Sequence, residues 1–200
     1  MAEITAGMVK QLREKSGAGM MDCKQALTAS DGDMDKALVE LRKQGLAMAQ
    51  KKSSRTTKEG MVEAYIHAGG KIGVLVEVGV ETDFVSRGEK FREFCHDLAL
   101  QVAASSPHWV RREDVPAEVI EAERAVYAGQ AKGKPENVVE KMVSGKLEKF
   151  FAETCLMEQP FVKEPDLTIE ALRTNLVGVI SENVEVRRFV RFQLGETQEG

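Results

Sequence analysis

The chain has 200 residues, of which 42% are hydrophobic and 30% charged, and its formal net charge is −4 at pH 7. That balance excludes a disordered polymer and offers no global basic surface for displacing counterions from nucleic-acid phosphates. Three cysteines, Cys23, Cys95 and Cys155, lie far apart without a CxxC spacing, which argues against a disulfide framework or a zinc site and for reduced thiols.

The first residues, Met1 to Thr5, carry no basic region leading into an apolar run, so no signal peptide is expected. No apolar stretch approaches the roughly 20 residues that span a bilayer. A soluble, cytoplasmic protein without membrane contact is the expectation.

In chain order, Ile4, Met8, Val9 and Leu12 recur at helical spacing until Ser16-Gly17-Ala18-Gly19 interrupts them. Met20-Met21-Asp22 restarts the pattern, with Asp22 as a plausible cap, and Cys23, Ala26 and Leu27 give a short helix ending near Asp31-Gly32. Asp33 suits the cap of a third helix that carries Ala37, Leu38 and Leu41 and is expected to stop at Gly45. Residues 1–50 therefore read as a three-helix domain. Residues 51–60 lack large apolar side chains, hold the densest basic patch (Lys51, Lys52, Arg55) and read as a linker.

The period then changes to two. Val62, Ala64 and Ile66 alternate, Gly69-Gly70 supplies a turn, and Ile72, Val74, Val76, Val78 and Val80 share one face of a second strand. Leu75 is apolar on the other face. Phe91, Phe94, Cys95, Leu98 and Val102 form a helical stripe that ends before Pro107. Further helices are expected to start near Pro116, near Pro135 and after Thr168, and Glu185 to Leu194 alternates as a closing strand. The fold class is α+β: an N-terminal three-helix domain, then an α+β core, residues 61–195, in which helices pack on an antiparallel sheet, and a tail, 196–200.

Catalytic chemistry is hard to place. Gly69-Gly70-Lys71 looks like part of a phosphate-binding loop, but Ile72 stands where Ser or Thr should bind magnesium and Tyr65 where the first glycine should be. His67, His96 and His108 have no ligand partner at i+3 or i+4, so no metal site is expected. Cys95 lies on the apolar stripe and reads as core. No catalytic residue and no cofactor follow from the sequence.

Two segments invite a binding role. Met20 and Met21 sit about 100 degrees apart on a helix, so a thin domain cannot bury both, and an exposed methionine is an adaptable contact. Thr82-Asp83-Phe84-Val85 follows the strongest strand. Asp83 could cap a helix with Phe84 packed below it, or Phe84 could be an exposed aromatic anchor beside a carboxylate. Pattern alone leaves both open.

The run Ile4-Thr5-Ala6, Val9-Lys10, Leu12-Arg13 and Ser16 to Leu27 closely resembles the elongation factor Ts family. So do Glu81-Thr82-Asp83-Phe84-Val85-Ser86-Arg87, the block Gly133-Lys134-Pro135 through Met142-Val143 to Glu158-Gln159-Pro160-Phe161-Val162, and Arg188 to Phe192. The resemblance implies a guanine-nucleotide exchange factor for elongation factor Tu, and an N-terminal three-helix domain like a ubiquitin-associated (UBA) domain. It implies that Leu12, Met20 and Met21 dock on a helix of that GTPase. It implies that the Thr82-Asp83-Phe84-Val85 motif pushes in near the magnesium and phosphate site. Longer members carry two core subdomains and a coiled coil, for which this chain is too short; the shorter members are associated with homodimers, which is the expectation here. The rival classes are a UBA-like adaptor that only binds a partner helix and, more remotely, a thiol enzyme using Cys95.

Overall fold

The computed structural model describes residues 4–131, 133 and 135–196. Lys134 of the matched block and the expected tail beyond Glu196 lie outside the described residues. Thr5 opens helix α1 (Ala6–Ser16): its backbone is extended and its hydroxyl accepts the Met8 N–H at 3.3 Å. Gly17, at φ +67°, closes it by donating to the Arg13 carbonyl at 2.8 Å. Helix α2 (Met20–Ala29) is capped by Gly19, not by Asp22. Asp22 instead lies in the first turn, where a carboxylate complements the helix dipole. Its Oδ2 would stand 2.6 Å from a Cβ on residue 19, so glycine leaves the room that this arrangement uses.

Asp33 caps helix α3 (Met34–Lys52) by accepting the Asp35 and Lys36 N–H groups at 3.1 and 3.0 Å. The helix does not stop at Gly45; it continues to Lys52 and takes in the first two residues of the expected linker. A glycine inside a helix costs up to about 1 kcal/mol against alanine. Here it is buried where a later helix comes close. Val9, Leu12, Cys23, Ala26, Leu27 and Ala37 form the core of the three helices.

Strands β1 (Glu59–Ile66) and β2 (Ile72–Val80) form the hairpin expected from the period of two, with the His67 N–H donating to the Ile72 carbonyl across the turn. Val74, Val76, Val78 and Val80 are buried. In β1 the expected face is reversed. Val62, Ala64 and Ile66 are exposed, while Met61, Glu63 and Tyr65 are the partly buried set. The reason is visible in Tyr65, whose ring lies edge-on to His96, and in Glu63, which meets His96 Nδ1 at 3.2 Å. The closing strand β5 (Val184–Gln193) completes a three-stranded sheet of order β1-β2-β5, and its end returns to the start of β2 through Leu194 N–H to the Lys71 carbonyl. Burial changes phase along β5. Val184 and Val186 are buried, then Phe189 and Arg191 are the covered pair. Arg187 and Arg188 both reach Glu77, at 3.0 and 2.7 Å. The two guanidiniums hold the Glu77 carboxyl below its ordinary range.

Helix α4 (Asp83–Ser86) is a single turn, followed by α5 (Glu89–Ser105), whose stripe of Phe91, Phe94, Cys95, Leu98 and Val102 is buried as its spacing predicts. Helices α6 (Ala117–Gln130) and α7 (Glu136–Thr154) start after Pro116 and Pro135. They share a second core of Val115, Val143, Leu147, Phe151 and Cys155. A small pair, β3 (Pro160–Phe161) and β4 (Glu164–Thr168), has no counterpart in the sequence reading. Helix α8 (Ile169–Ile180) begins directly after Thr168. The architecture is α+β, N-terminal helices followed by a core in which helices pack on an antiparallel sheet.

The chain divides into two compact units. One comprises residues 1–61, 79–94 and 171–185 and holds the first three helices, α4 and most of α8. The other comprises residues 62–78, 95–170 and 186–200.

Candidate partner-docking site

The buried run of β2 ends at Val80, and the chain leaves the sheet through Glu81 and Thr82. Thr82 is extended (φ −127°, ψ 154°) and caps α4, its Oγ1 accepting the Val85 N–H at 3.4 Å. The cap is therefore Thr82 and not Asp83. Asp83 is the first helical residue and pairs with Arg87 one turn on, at 2.9 Å, while Ser86 Oγ donates to the Asp83 carbonyl. With the first turn fixed in this way, Phe84 projects outward and is 84% exposed, and Val85 turns partly inward. Phe84 does not pack below the cap.

A large aromatic left in water at this level needs a firm base, because its own burial contributes nothing to holding the turn. The base comes from the loop between α8 and β5. The Glu182 carboxylate accepts the Thr82 N–H at 3.0 Å and the Thr82 hydroxyl at 2.6 Å. The neighbouring Asn183 N–H donates to Glu81 Oε1 at 2.7 Å, and Glu81 Oε2 meets Arg55 at 3.4 Å. Asn183 Nδ2 donates in turn to the Arg55 carbonyl at 2.8 Å. Lys52, at the end of α3, donates to the Ser181 carbonyl. A cleft of about 730 Å³ opens beside Phe84, lined by Val85, Lys90, Phe91, Val179 and Ile180 among others. Sequence reasoning found the projecting residues and missed Glu182 and Asn183, which lie about a hundred positions away and carry no local signal.

The methionines belong to the same compact unit. Met20 is 52% and Met21 75% exposed at the start of α2. The turn before them is tied down by Lys90 Nζ, which donates to the Gly17 carbonyl at 3.2 Å. Leu12 differs from the expectation: it is 0% exposed, inside the helical core. Its isobutyl group packs α1 on its neighbours and is not available at the surface for direct docking.

Cys95 is buried, and burial first, with the nearby Glu63 charge second, pushes its thiol up to about 12. Burial likewise raises Cys155. A protonated thiol without access to solvent is no nucleophile, which overturns the thiol-enzyme alternative. Among the described residues no group of His, Cys, Asp and Glu could hold a metal ion, and no helix is long and apolar enough to cross a membrane.

Residues 3–196 match the family model described as Elongation factor TS. The chain is 60% identical over 195 residues to an elongation factor Ts of Carboxydothermus hydrogenoformans, covering 96% of this chain and 90% of that one. It is 58% identical to the elongation factor Ts of Heliobacterium modesticaldum, with 96% and 91% covered. It is also 58% identical to that of Thermodesulfovibrio yellowstonii, with 98% of each chain covered. The match takes in Thr82 to Val85, Met20 and Met21 together with the helices and sheet that present them, and on these grounds the chain belongs to the elongation factor Ts family.

Proposed function

We propose that this protein is a guanine-nucleotide exchange factor for elongation factor Tu, acting in the cytoplasm during translation elongation. Family membership over residues 3–196 carries the reading. The exposed Phe84 on a capped turn supports the choice of site. In this reading residues 1–50 dock the GTPase through Met20 and Met21, with Leu12 shaping the surface from beneath. The core of residues 61–195 carries Thr82, Asp83, Phe84 and Val85 to the region around the bound magnesium and phosphates.

No covalent step is needed. The GTPase holds GDP through a magnesium ion and backbone donors around the phosphates. A factor that binds the nucleotide-free form more tightly than the GDP form must weaken GDP by the same factor, because the coupling is reciprocal. Phe84 supplies that preference when a pocket for its ring exists only in the disturbed form. Asp83, held by Arg87 until the partner arrives, offers a carboxylate to the rearranged region. Burying one aromatic anchor is worth about 2 kcal/mol or more, roughly thirtyfold in rate, so docking elsewhere must supply the rest.

The shorter-member expectation of a homodimer also enters here as a proposal. Val62, Ile66, Leu75, Val190 and Phe192 are all exposed on the sheet strands. Ile66 Cδ1 would stand 3.1 Å from a Cβ on Gly73, which places it on the same side as Leu75. Apolar strand residues left in water in such number suit a covering second copy.

The deciding experiment is release of a fluorescent GDP analogue from elongation factor Tu. Wild-type protein accelerates release many-fold, and Phe84→Ala loses most of that acceleration. No acceleration by wild type refutes the exchange reading; full acceleration by Phe84→Ala refutes the wedge. Binding without acceleration by either protein marks the adaptor.

A further inference from the structure

We infer that Glu182 is a positioning residue for the Thr82–Val85 element, acting through the Thr82 hydroxyl. This rests on the exchange reading above for its consequence, though not for its geometry. The Thr82 hydroxyl has one proton and two lone pairs. Its proton goes to Glu182 Oε1 at 2.6 Å, and that leaves a lone pair directed at the Val85 N–H. The second carboxylate oxygen takes the Thr82 N–H at 3.0 Å. One side chain thus fixes both the backbone and the rotamer of the cap, and the cap fixes the first turn of a helix only four residues long. Four residues cannot hold a helix by themselves, because the cost of nucleation exceeds what one or two hydrogen bonds return. The direction in which Phe84 leaves the sheet therefore depends on Glu182.

The arrangement also reaches back to the docking helices. Asn183, next in the chain, bonds Glu81 and the Arg55 carbonyl, and Lys52 bonds Ser181. The loop 181–183 is thereby held between the end of α3 and the residues that launch Phe84. All of these groups lie in one compact unit. The loop itself is bent by Ser181 at φ +58°, a left-handed backbone that a serine adopts only when its surroundings enforce it.

The cap chemistry makes the inference specific. Aspartate is usually as good a cap as threonine or better. At position 82 it would set a carboxylate against Glu182 and remove the donor, so Thr82→Asp weakens the element while Thr82→Ser preserves it.

The test uses the full chain in two measurements. First, hydrogen exchange of the Val85 amide in the free protein should speed up about tenfold in Glu182→Gln and in Thr82→Val, the size of one charge-assisted hydrogen bond. It should stay near wild type in Thr82→Ser. Second, on elongation factor Tu loaded with the fluorescent GDP analogue, Glu182→Gln should lower the maximal release rate about tenfold. The half-saturating concentration should hold, because Met20 and Met21 are untouched. The double variant Glu182→Gln/Thr82→Val should be no worse than the poorer single one. Unchanged Val85 exchange in Glu182→Gln, additive losses in the double variant, or a change confined to half-saturation would each overturn the positioning role. Should Phe84→Ala release GDP like wild type, the wedge reading fails alone, since the Val85 measurement needs no GTPase.

Discussion

Helices α3 and α8 approach backbone to backbone at Gly45 and Gly178: a Cβ on residue 178 would stand 3.6 Å from the Gly45 Cα. A Cβ on residue 45 would meet the Thr174 carbonyl at 3.8 Å and its Cγ2 at 3.9 Å. All three distances are ordinary van der Waals contact, so one methyl fits at either place. Gly45→Ala should raise stability by up to about 1 kcal/mol through helix propensity. Gly178→Leu has no such room and should lower stability by about 1–3 kcal/mol. Urea denaturation followed by circular dichroism reads both, and a destabilised Gly45→Ala would contradict the packing described.

Leu12 and Met21 separate support from contact. Leu12→Ala empties a fully buried site and should cost about 2–5 kcal/mol in unfolding free energy. Met21→Ala removes an exposed side chain and should change stability by no more than about 0.5 kcal/mol. The affinities should not follow stability. With the fold intact at low temperature, titration calorimetry against elongation factor Tu should show the larger loss for Met21→Ala. Equal losses in binding for a folded Leu12→Ala would return Leu12 to direct contact.

These residues also show what the sequence could tell. Helical spacing found Leu12 as a recurring apolar position, but spacing cannot say whether such a position faces a neighbouring helix or a partner. Gly45 carried a local signal for a helix end, and the long-range contact with Gly178 outweighed it. The valines of β2 were legible because one face is apolar without interruption. In β1 both faces carry apolar residues, so alternation could not show that Val62 and Ile66 face outward while Tyr65 meets His96. Phe84 stood out as an aromatic residue in a polar run. Its support from Glu182 is a pairing across 100 positions and leaves no trace in a local pattern.

The buried thiol of Cys95 gives a pH dependence of definite sign. Its pKa rises from 9.0 to about 12 on folding, chiefly through burial. Between those values the folded state keeps the proton and the unfolded state loses it, so stability falls as pH rises from about 9 towards 12. Cys95→Ala removes this contribution. Thermal midpoints measured from pH 8 to 10.5 should decline less steeply in the variant than in wild type. At neutral pH an excess of a maleimide should leave Cys95 unmodified until denaturant is added; rapid labelling in the folded state would show that the thiol is not enclosed.

The exposed sheet residues bear on assembly. Leu75 and Phe192 are 46% and 54% exposed, and Ile66 is 67% exposed. A stable interface removes about 800 Å² from each partner, with an apolar centre and a polar rim. Here the apolar centre would be Ile66, Leu75 and Phe192, and the Glu77–Arg187–Arg188 ion pairs would stand beside it. Because a two-fold interface uses the same patch twice, one charge introduced at its centre appears on both copies and repels itself. Sedimentation equilibrium should therefore give twice 22.1 kDa for wild type and 22.1 kDa for Phe192→Glu. The variant's unfolding at low protein concentration should match wild type, since Phe192 contacts solvent in the single chain. A wild-type mass of 22.1 kDa at tens of micromolar protein would refute the dimer, and a dimer that survives both Phe192→Glu and Leu75→Glu would place its interface on another surface.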